Sequence, residues 1–564
     1  MPVDRRTHAS LTDRFGRVAS RSAAGRRLGA LRAELATRRA PLHWTNMFGV
    51  VALACLLVLF VTGFILMFAY APSSTRVTYT GPYAPLAGAE MSKALQSTLG
   101  ISFELPGGML LRQAHHWAAL LLPAAIIMQL LVAFFTGAFR RPRRTSWLLL
   151  FGLLIVALIG GWSGYALPDD MLSGTGLRIV EGIVLGIPVI GTWLSWLLFG
   201  GEFPGQIIEH LYPIHIAVVP VLLVLLLAGR WREAYLHKAA QFPGEGRSET
   251  VIVGVPVWPN LAVRAGGLLA ATTGALVLLA ATVTIGPIWL YGPSSPGDAG
   301  AGSQPDWYTG FLDGALRLVP PGWEFEWLGR TWTLAVLVPL LVVGVFLLLV
   351  AVYPFVEEWL SGDSREHHIL DRPRNVPTRT GIGVAGIVFY AALWGAASAD
   401  LVATHLHIGL EVVVHSFQAL VVLGPVLAFL LTRRVCLALQ KKDQSILLHG
   451  YETGRIVRLP GGEYVEVHGA VDAHERYRLV GPDAAAPYAA RPDGDGHLRL
   501  VDRARARASR FFFEDRLTPV PEQPGALGPA DAVVAPDALE AAGALDDGGE
   551  GRSDARASST AGAA

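Results

Sequence analysis

Uncharged apolar runs recur along the chain, separated by short polar clusters. They cover 44–72, 113–139, 145–168, 210–229, 265–297, 331–356, 380–399 and 412–432. Each is near or above the roughly 20 residues that a helix needs to cross a bilayer. A ninth run, 182–201, is broken by Gly186, Pro188 and Gly191, which predicts short surface helices rather than a span. The pattern predicts an all-α polytopic membrane protein with eight transmembrane helices.

Positive charge orients those helices. Ten arginines precede the first span, and Arg140, Arg141, Arg143 and Arg144 follow the second. Arg230, Arg232, Lys238 and Arg247 follow the fourth. Arg365, Arg372, Arg374 and Arg379 follow the sixth, and Arg433, Arg434, Lys441 and Lys442 the eighth. The alternate loops hold Asp169, Asp170, Glu202, Asp298 and Asp306. Both termini are therefore expected in the cytoplasm.

Composition adds exclusions. Charged residues are 16% of the 564, against roughly 25% in soluble domains, so a string of soluble domains is ruled out. Cys55 and Cys436 both sit inside apolar stretches and cannot make a four-ligand zinc or iron–sulfur site. No nucleotide-binding motif lies on either side of the membrane, and no nucleic-acid partner is expected. Residues 1–42 form a basic arm, expected on anionic lipid, without the apolar core of a signal peptide. Residues 43–240 and 241–441 make two membrane regions, and 442–518 a small cytoplasmic extension. Within that extension, 456–467 alternates around Gly461-Gly462 and predicts a β-hairpin. Residues 519–564, rich in Ala, Gly, Pro and acidic residues, are expected to be a disordered tail.

A helix returns to nearly the same face after 14 residues, about 3.9 turns and ~21 Å along its axis. The first span carries Gly49 and Gly63 at that spacing. The second opens with Arg112, His115 and His116, the third ends with Gly164-Tyr165, and the fourth opens with His215. Gly63, His115, Gly164 and His215 then share one depth near the outer face. Two imidazoles and two glycine gaps suit a bis-histidine haem, with Arg112 placed for a propionate. Histidines at a membrane helix end are ordinarily interfacial, so spacing alone leaves both readings open. The outer loop Gln304-Pro305-Asp306-Trp307-Tyr308 sets a carboxylate beside aromatics. There it could take a proton from a quinol-like donor, or simply make an interfacial turn.

The eight-span layout and the Pro-Asp-Trp-Tyr loop at 305–308 resemble the cytochrome b subunit of quinol–cytochrome c reductases. Further stretches resemble the menaquinol-oxidising actinobacterial form. These are His116-Trp117, Phe-Thr-Gly-Ala-Phe-Arg-Arg-Pro at 135–142, Gly-Tyr-Ala-Leu-Pro-Asp-Asp at 164–170 and Leu-Ser-Gly-Thr-Gly-Leu-Arg at 172–178. Gln-Phe-Pro-Gly at 241–244, His-Gly-Tyr-Glu-Thr-Gly at 449–454 and Arg-Leu-Pro at 458–460 complete the set. The resemblance covers about residues 40–480.

It implies a four-helix haem-binding bundle in 43–240 and a quinol-oxidation site at the 304–308 loop. Asp306 would be the proton acceptor and Tyr308 its neighbour. His115 and His215 would be the iron ligands of the outer haem b, Gly63 and Gly164 would flank it, and Arg112 would meet a propionate. It also implies a Rieske iron–sulfur subunit, a cytochrome c subunit, a terminal oxidase downstream, a homodimeric complex, menaquinol as substrate and a bacterial cell membrane.

The family holds a second, inner haem, and here the sequence departs from it. The histidine expected 14 residues after His115 is Gln129, the one expected in the fourth span is Arg230, and the glycine expected before Gly164 is Leu150. Only Gly49 remains at that level. One haem is therefore expected rather than two. A non-catalytic or assembly paralogue that has lost Q-cycle turnover is the alternative. A transporter would line a path with intramembrane charge, whereas the spans offer mainly Glu411 and His415, expected to be a partly buried outer pair.

Overall fold

The computed structural model describes residues 22–201, 205–295, 304–472, 475–476, 479, 487–490 and 497–513. Glu202, Asp298, the first 21 residues and the tail expected at 519–564 lie outside the described residues. Among the described residues, eight helices are long and apolar enough to cross a membrane. They are Trp44–Leu66, Gly108–Thr136, Arg144–Ala166, Ile207–Leu236, Val257–Thr282, Leu334–Ser361, Pro377–Ala396 and Leu410–His449, here called the first to eighth spans. Inner and outer follow the arginine-based orientation above. The interrupted ninth run is two short helices, Met171–Leu185 and Gly191–Phe199. Asp170 caps the first of them, accepting from the Leu172 N–H.

The first four spans pack around a core that includes Cys55, Leu56, Ala118, Leu122, Ile126, Leu153, Leu154 and Leu223. Many other apolar side chains on the spans, such as Val221, Leu225, Leu341 and Leu349, point outward, as expected where lipid is the solvent. Packing between membrane helices then depends on close approach through small residues. The seventh and eighth spans show this: a Cβ on Gly381 would lie 2.8 Å from the Phe429 ring, and one on Gly395 2.7 Å from Phe417.

The inner side is tied by a buried ion cluster. Arg379, 1% exposed, pairs with Glu357 and with Asp371 (2.7 Å), and Asp371 also meets Arg140 at 3.1 Å. Gly137 ends the second span at φ +66°, where a Cβ would also stand 2.7 Å from the Arg379 guanidinium. The cluster joins the loop after the second span to the sixth and seventh spans.

In the C-terminal extension the predicted hairpin forms from Tyr451–Arg458 and Tyr464–Gly469, paired antiparallel. Elements without a sequence expectation include an outer hairpin, Glu324–Trp327 with Arg330–Thr333, and a helix, Leu500–Phe513, packed on the inner end of the sixth span. One expectation is corrected. Glu411 and His415 are both exposed, because the outer end of the eighth span packs on one side only and turns these positions outward.

Candidate functional site

The outer half of the bundle brings together the residues that the 14-residue spacing selects. His115 and His215 face each other with ring centroids 6.1 Å apart and planes at 65°. A Cβ on Gly63 would lie 3.1 Å from His115 Cε1, and one on Gly164 2.5 Å from His215 Cε1. His215 stands in a wide turn, Ile214–Val218. Pro213 and Pro220 flank that turn, and neither has an N–H to give to the helix ladder.

Each imidazole Nδ1 has a hydroxyl partner on a neighbouring span. Thr62 Oγ1 donates its one proton to the Val58 carbonyl at 2.6 Å, so toward His115 Nδ1, 2.9 Å away, it can only accept. Ser163 Oγ lies 3.1 Å from both the Gly160 carbonyl, to which it can donate, and His215 Nδ1, from which it can then accept. With Nδ1 donating to these hydroxyls, both rings keep a lone pair on Nε2. A metal-ligating histidine is held in this way. Thr62 and Ser163 gave no sequence signal, since a hydroxyl in a membrane helix ordinarily bonds only its own preceding turn.

Asp306 lies over the same space. The Tyr308 hydroxyl donates to Asp306 Oδ2 at 2.8 Å, and His116 Nε2 stands 3.7 Å from the same oxygen. Tyr308 is 1% exposed, and burial beside the carboxylate raises its pKa well above the phenol range, so it remains a donor. Two indole bonds pin the loop: Trp307 Nε1 donates to the Leu120 carbonyl at 3.2 Å, and Trp394 Nε1 to the Trp307 carbonyl at 3.0 Å. A cavity of ≈ 790 Å³ joins the two groups, lined among others by Gly63, Arg112, His115, Gly164, His215 and Asp306. Within it, burial raises the pKa of Asp170, against the Ser173 hydroxyl. Beside it, burial pushes the Asp169 carboxyl up to about 6, against the pull of Ser92 and Arg76.

The family model described as "Cytochrome b(N-terminal)/b6/petB" matches residues 120–293. The chain is 43% identical over 488 residues to the cytochrome bc1 complex cytochrome b subunit of Streptomyces coelicolor, covering 85% of this chain and 89% of that one. To the subunit of the same name from Mycobacterium leprae it is 47% identical over 439 residues, 77% of this chain and 79% of that one. Its fold is similar to a chain of a hyperthermophilic respiratory Complex III, with TM-score 0.55 at 18% identity, covering 74% and 97% of the two chains. The chain belongs to the cytochrome b subunits of cytochrome bc1 complexes.

A cytochrome b carries haem b, and the outer level of this one fits the group. The two Nε2 lone pairs, the two glycine gaps and the cavity supply ligands and room. Arg112 lines the cavity with Nε and Nη2 buried and unpartnered among the described residues, as a cation awaiting a carboxylate would be.

The inner level of this cytochrome b does not fit. The Gln129 amide packs against Gly49, where a Cβ would lie 3.1 Å from its Nε2. Leu150 is 3% exposed within the core. Arg230 turns to the third span, its Nη1 donating to the Ser146 carbonyl (2.8 Å) and hydroxyl (3.2 Å). His43 is occupied as a helix cap, its Nδ1 2.9 Å from Thr45 Oγ1, with its ring against Phe242.

Proposed function

We propose that this chain is the cytochrome b subunit of a menaquinol–cytochrome c oxidoreductase, that it holds one haem b, at the outer level, and that it oxidises quinol at Asp306. Bound between His115 and His215, the haem supplies a one-electron acceptor near the outer surface. Asp306 takes one of the quinol's two protons, the other leaves to the outer aqueous phase, and the Tyr308 hydroxyl holds the carboxylate toward the cavity. Arg112 neutralises a propionate. With no inner relay, both quinol electrons leave outward in turn, to a Rieske iron–sulfur subunit and a cytochrome c subunit, in a homodimeric complex feeding a terminal oxidase. Both termini face the cytoplasm.

The observation that carries the one-haem reading is the contrast between the two levels. Two histidines with free Nε2 lone pairs face each other at the outer level, while Gln129, Leu150 and Arg230 are already packed or hydrogen-bonded at the inner one. Neither an amide in contact with Gly49 nor a guanidinium is a ligand for haem iron. On this reading the second quinol electron has no relay through the inner half of the bundle, so a two-haem Q cycle is not proposed. The intact Asp306–Tyr308 pair argues against a non-catalytic paralogue.

The test is the haem-to-polypeptide ratio of the purified protein by pyridine haemochrome, with reduced-minus-oxidised spectra. A ratio near one, lost in His115→Ala and in His215→Ala, is expected. A ratio near two would overturn the one-haem reading. No haem in a folded preparation would restore the non-catalytic alternative.

A further inference from the structure

The helix Leu500–Phe513 contributes nothing to the quinol site, yet its placement is specific. Its buried side carries Ser509, Phe512 and Phe513. Ser509 Oγ accepts from the Tyr488 N–H at 2.8 Å, and Arg505 Nε donates to the Trp359 carbonyl at 2.6 Å. The Arg505 guanidinium also covers the Tyr488 ring at 3.7 Å and the Trp359 ring at 5.5 Å.

Two contacts fix its depth. Phe511 stacks on Phe429 of the eighth span, with centroids 6.2 Å apart and planes at 23°, and the Arg433 guanidinium lies 5.0 Å from the Phe511 ring. Phe429 is three residues inside an apolar stretch that ends at Thr432, and Arg433 is the first charge beyond it. Trp359 stands at the inner end of the sixth span, where tryptophans mark the membrane–water boundary. The helix therefore lies at headgroup level.

Its outward face is formed by Leu500, Arg503, Ala504, Arg507, Arg510 and Phe511, spaced three and four apart and all exposed. Arg499, just before it, is exposed as well. The acid of the helix, Asp502, is turned toward the Tyr488 hydroxyl at 3.5 Å, away from that face. Three arginines between two exposed apolar side chains match what an interfacial helix presents to acyl chains and anionic headgroups. Each cation near an anionic bilayer surface is attracted to it.

We propose that Leu500–Phe513 is an in-plane membrane anchor whose Arg503, Arg507 and Arg510 bind anionic phospholipid headgroups of the inner leaflet. It joins the C-terminal extension to the bilayer beside the sixth and eighth spans. The assignment is independent of how many haems the bundle holds.

The experiment places a nitroxide label at Ala504 (Ala504→Cys) in the full-length chain. The unsubstituted chain is the labelling control, because Cys55 and Cys436 are 0% and 5% exposed. Accessibility to oxygen and to a water-soluble nickel chelate is read in vesicles of phosphatidylcholine alone and with phosphatidylglycerol added. Addition of the anionic lipid is expected to shield the label from the chelate several-fold and to raise its exposure to oxygen. Arg503→Gln/Arg507→Gln/Arg510→Gln should abolish that dependence while leaving the haem spectrum unchanged. A label equally open to the chelate in both vesicles would overturn the proposal in favour of a face turned to water. A label immobilised alike in both, and in the triple variant, would overturn it in favour of a protein partner.

Discussion

Gly161 and Tyr308 are in direct apposition: a Cβ added to Gly161 would lie 2.6 Å from the tyrosine hydroxyl oxygen. The third span thus positions the outer loop's tyrosine, and through it Asp306, while Gly164, one turn further, clears space for His215. One helix face serves the two halves of the site separately. Gly164→Ala is expected to displace the imidazole and lower haem occupancy. Gly161→Ala should retain the haem and slow quinol oxidation. Haem content and turnover measured on the same two preparations check both.

Asp306→Asn removes the proposed proton acceptor and leaves its size unchanged. General-base contributions of about 10²–10⁴-fold set the expected fall in quinol oxidation rate. The reduced haem spectrum should be unaltered. Tyr308→Phe removes only the hydrogen bond that holds the carboxylate, so its rate should fall less. Steady-state turnover with a soluble menaquinol analogue reads both.

Thr62→Val and Ser163→Ala each remove the hydroxyl partner of an imidazole Nδ1. Losses of this outer-shell kind ordinarily weaken a metal site by about 10–100-fold. Faster transfer of haem to an apo-protein trap is expected for both variants, with more in the double variant than in either single one.

Much of this site is legible in the sequence because the 14-residue repeat and the arginine clusters are one-dimensional signals. Gly63, His115, Gly164 and His215 meet where periodicity places them. Thr62 and Ser163 escape it, since their second contact spans 53 and 52 residues and nothing local distinguishes them from ordinary hydroxyls. The Arg379 cluster escapes it too. Its members read as loop charges until the fold folds Glu357 and Asp371 around the guanidinium. The helix Leu500–Phe513 has an amphipathic pattern, but its neighbours Trp359 and Phe429 lie about 150 and 80 residues away.

Asp169 makes stability depend on pH. Its carboxyl is raised from 3.8 to about 6, chiefly by burial, so the folded chain holds the proton more tightly than the unfolded one. The resulting advantage is fully present below about pH 4 and is lost as pH rises through about 6. Asp169→Asn keeps a side chain that tolerates its φ of +53° and removes the titration. Thermal unfolding between pH 4 and 8 should therefore vary less in the variant, by on the order of 1–3 kcal/mol across that window.

The Arg230–Ser146 hydrogen bonds and the Gln129–Gly49 contact fill the inner half of the bundle with side chains that carry no electrons. Under the one-haem reading that half is an insulator. An elementary charge driven across the bilayer works against about 2.3 kcal/mol for each 100 mV of membrane potential. An electron that never enters the inner half does no such work. Quinol oxidation by this subunit would then proceed at the same rate in an energised membrane and in a collapsed one, unlike a relay that spans the dielectric.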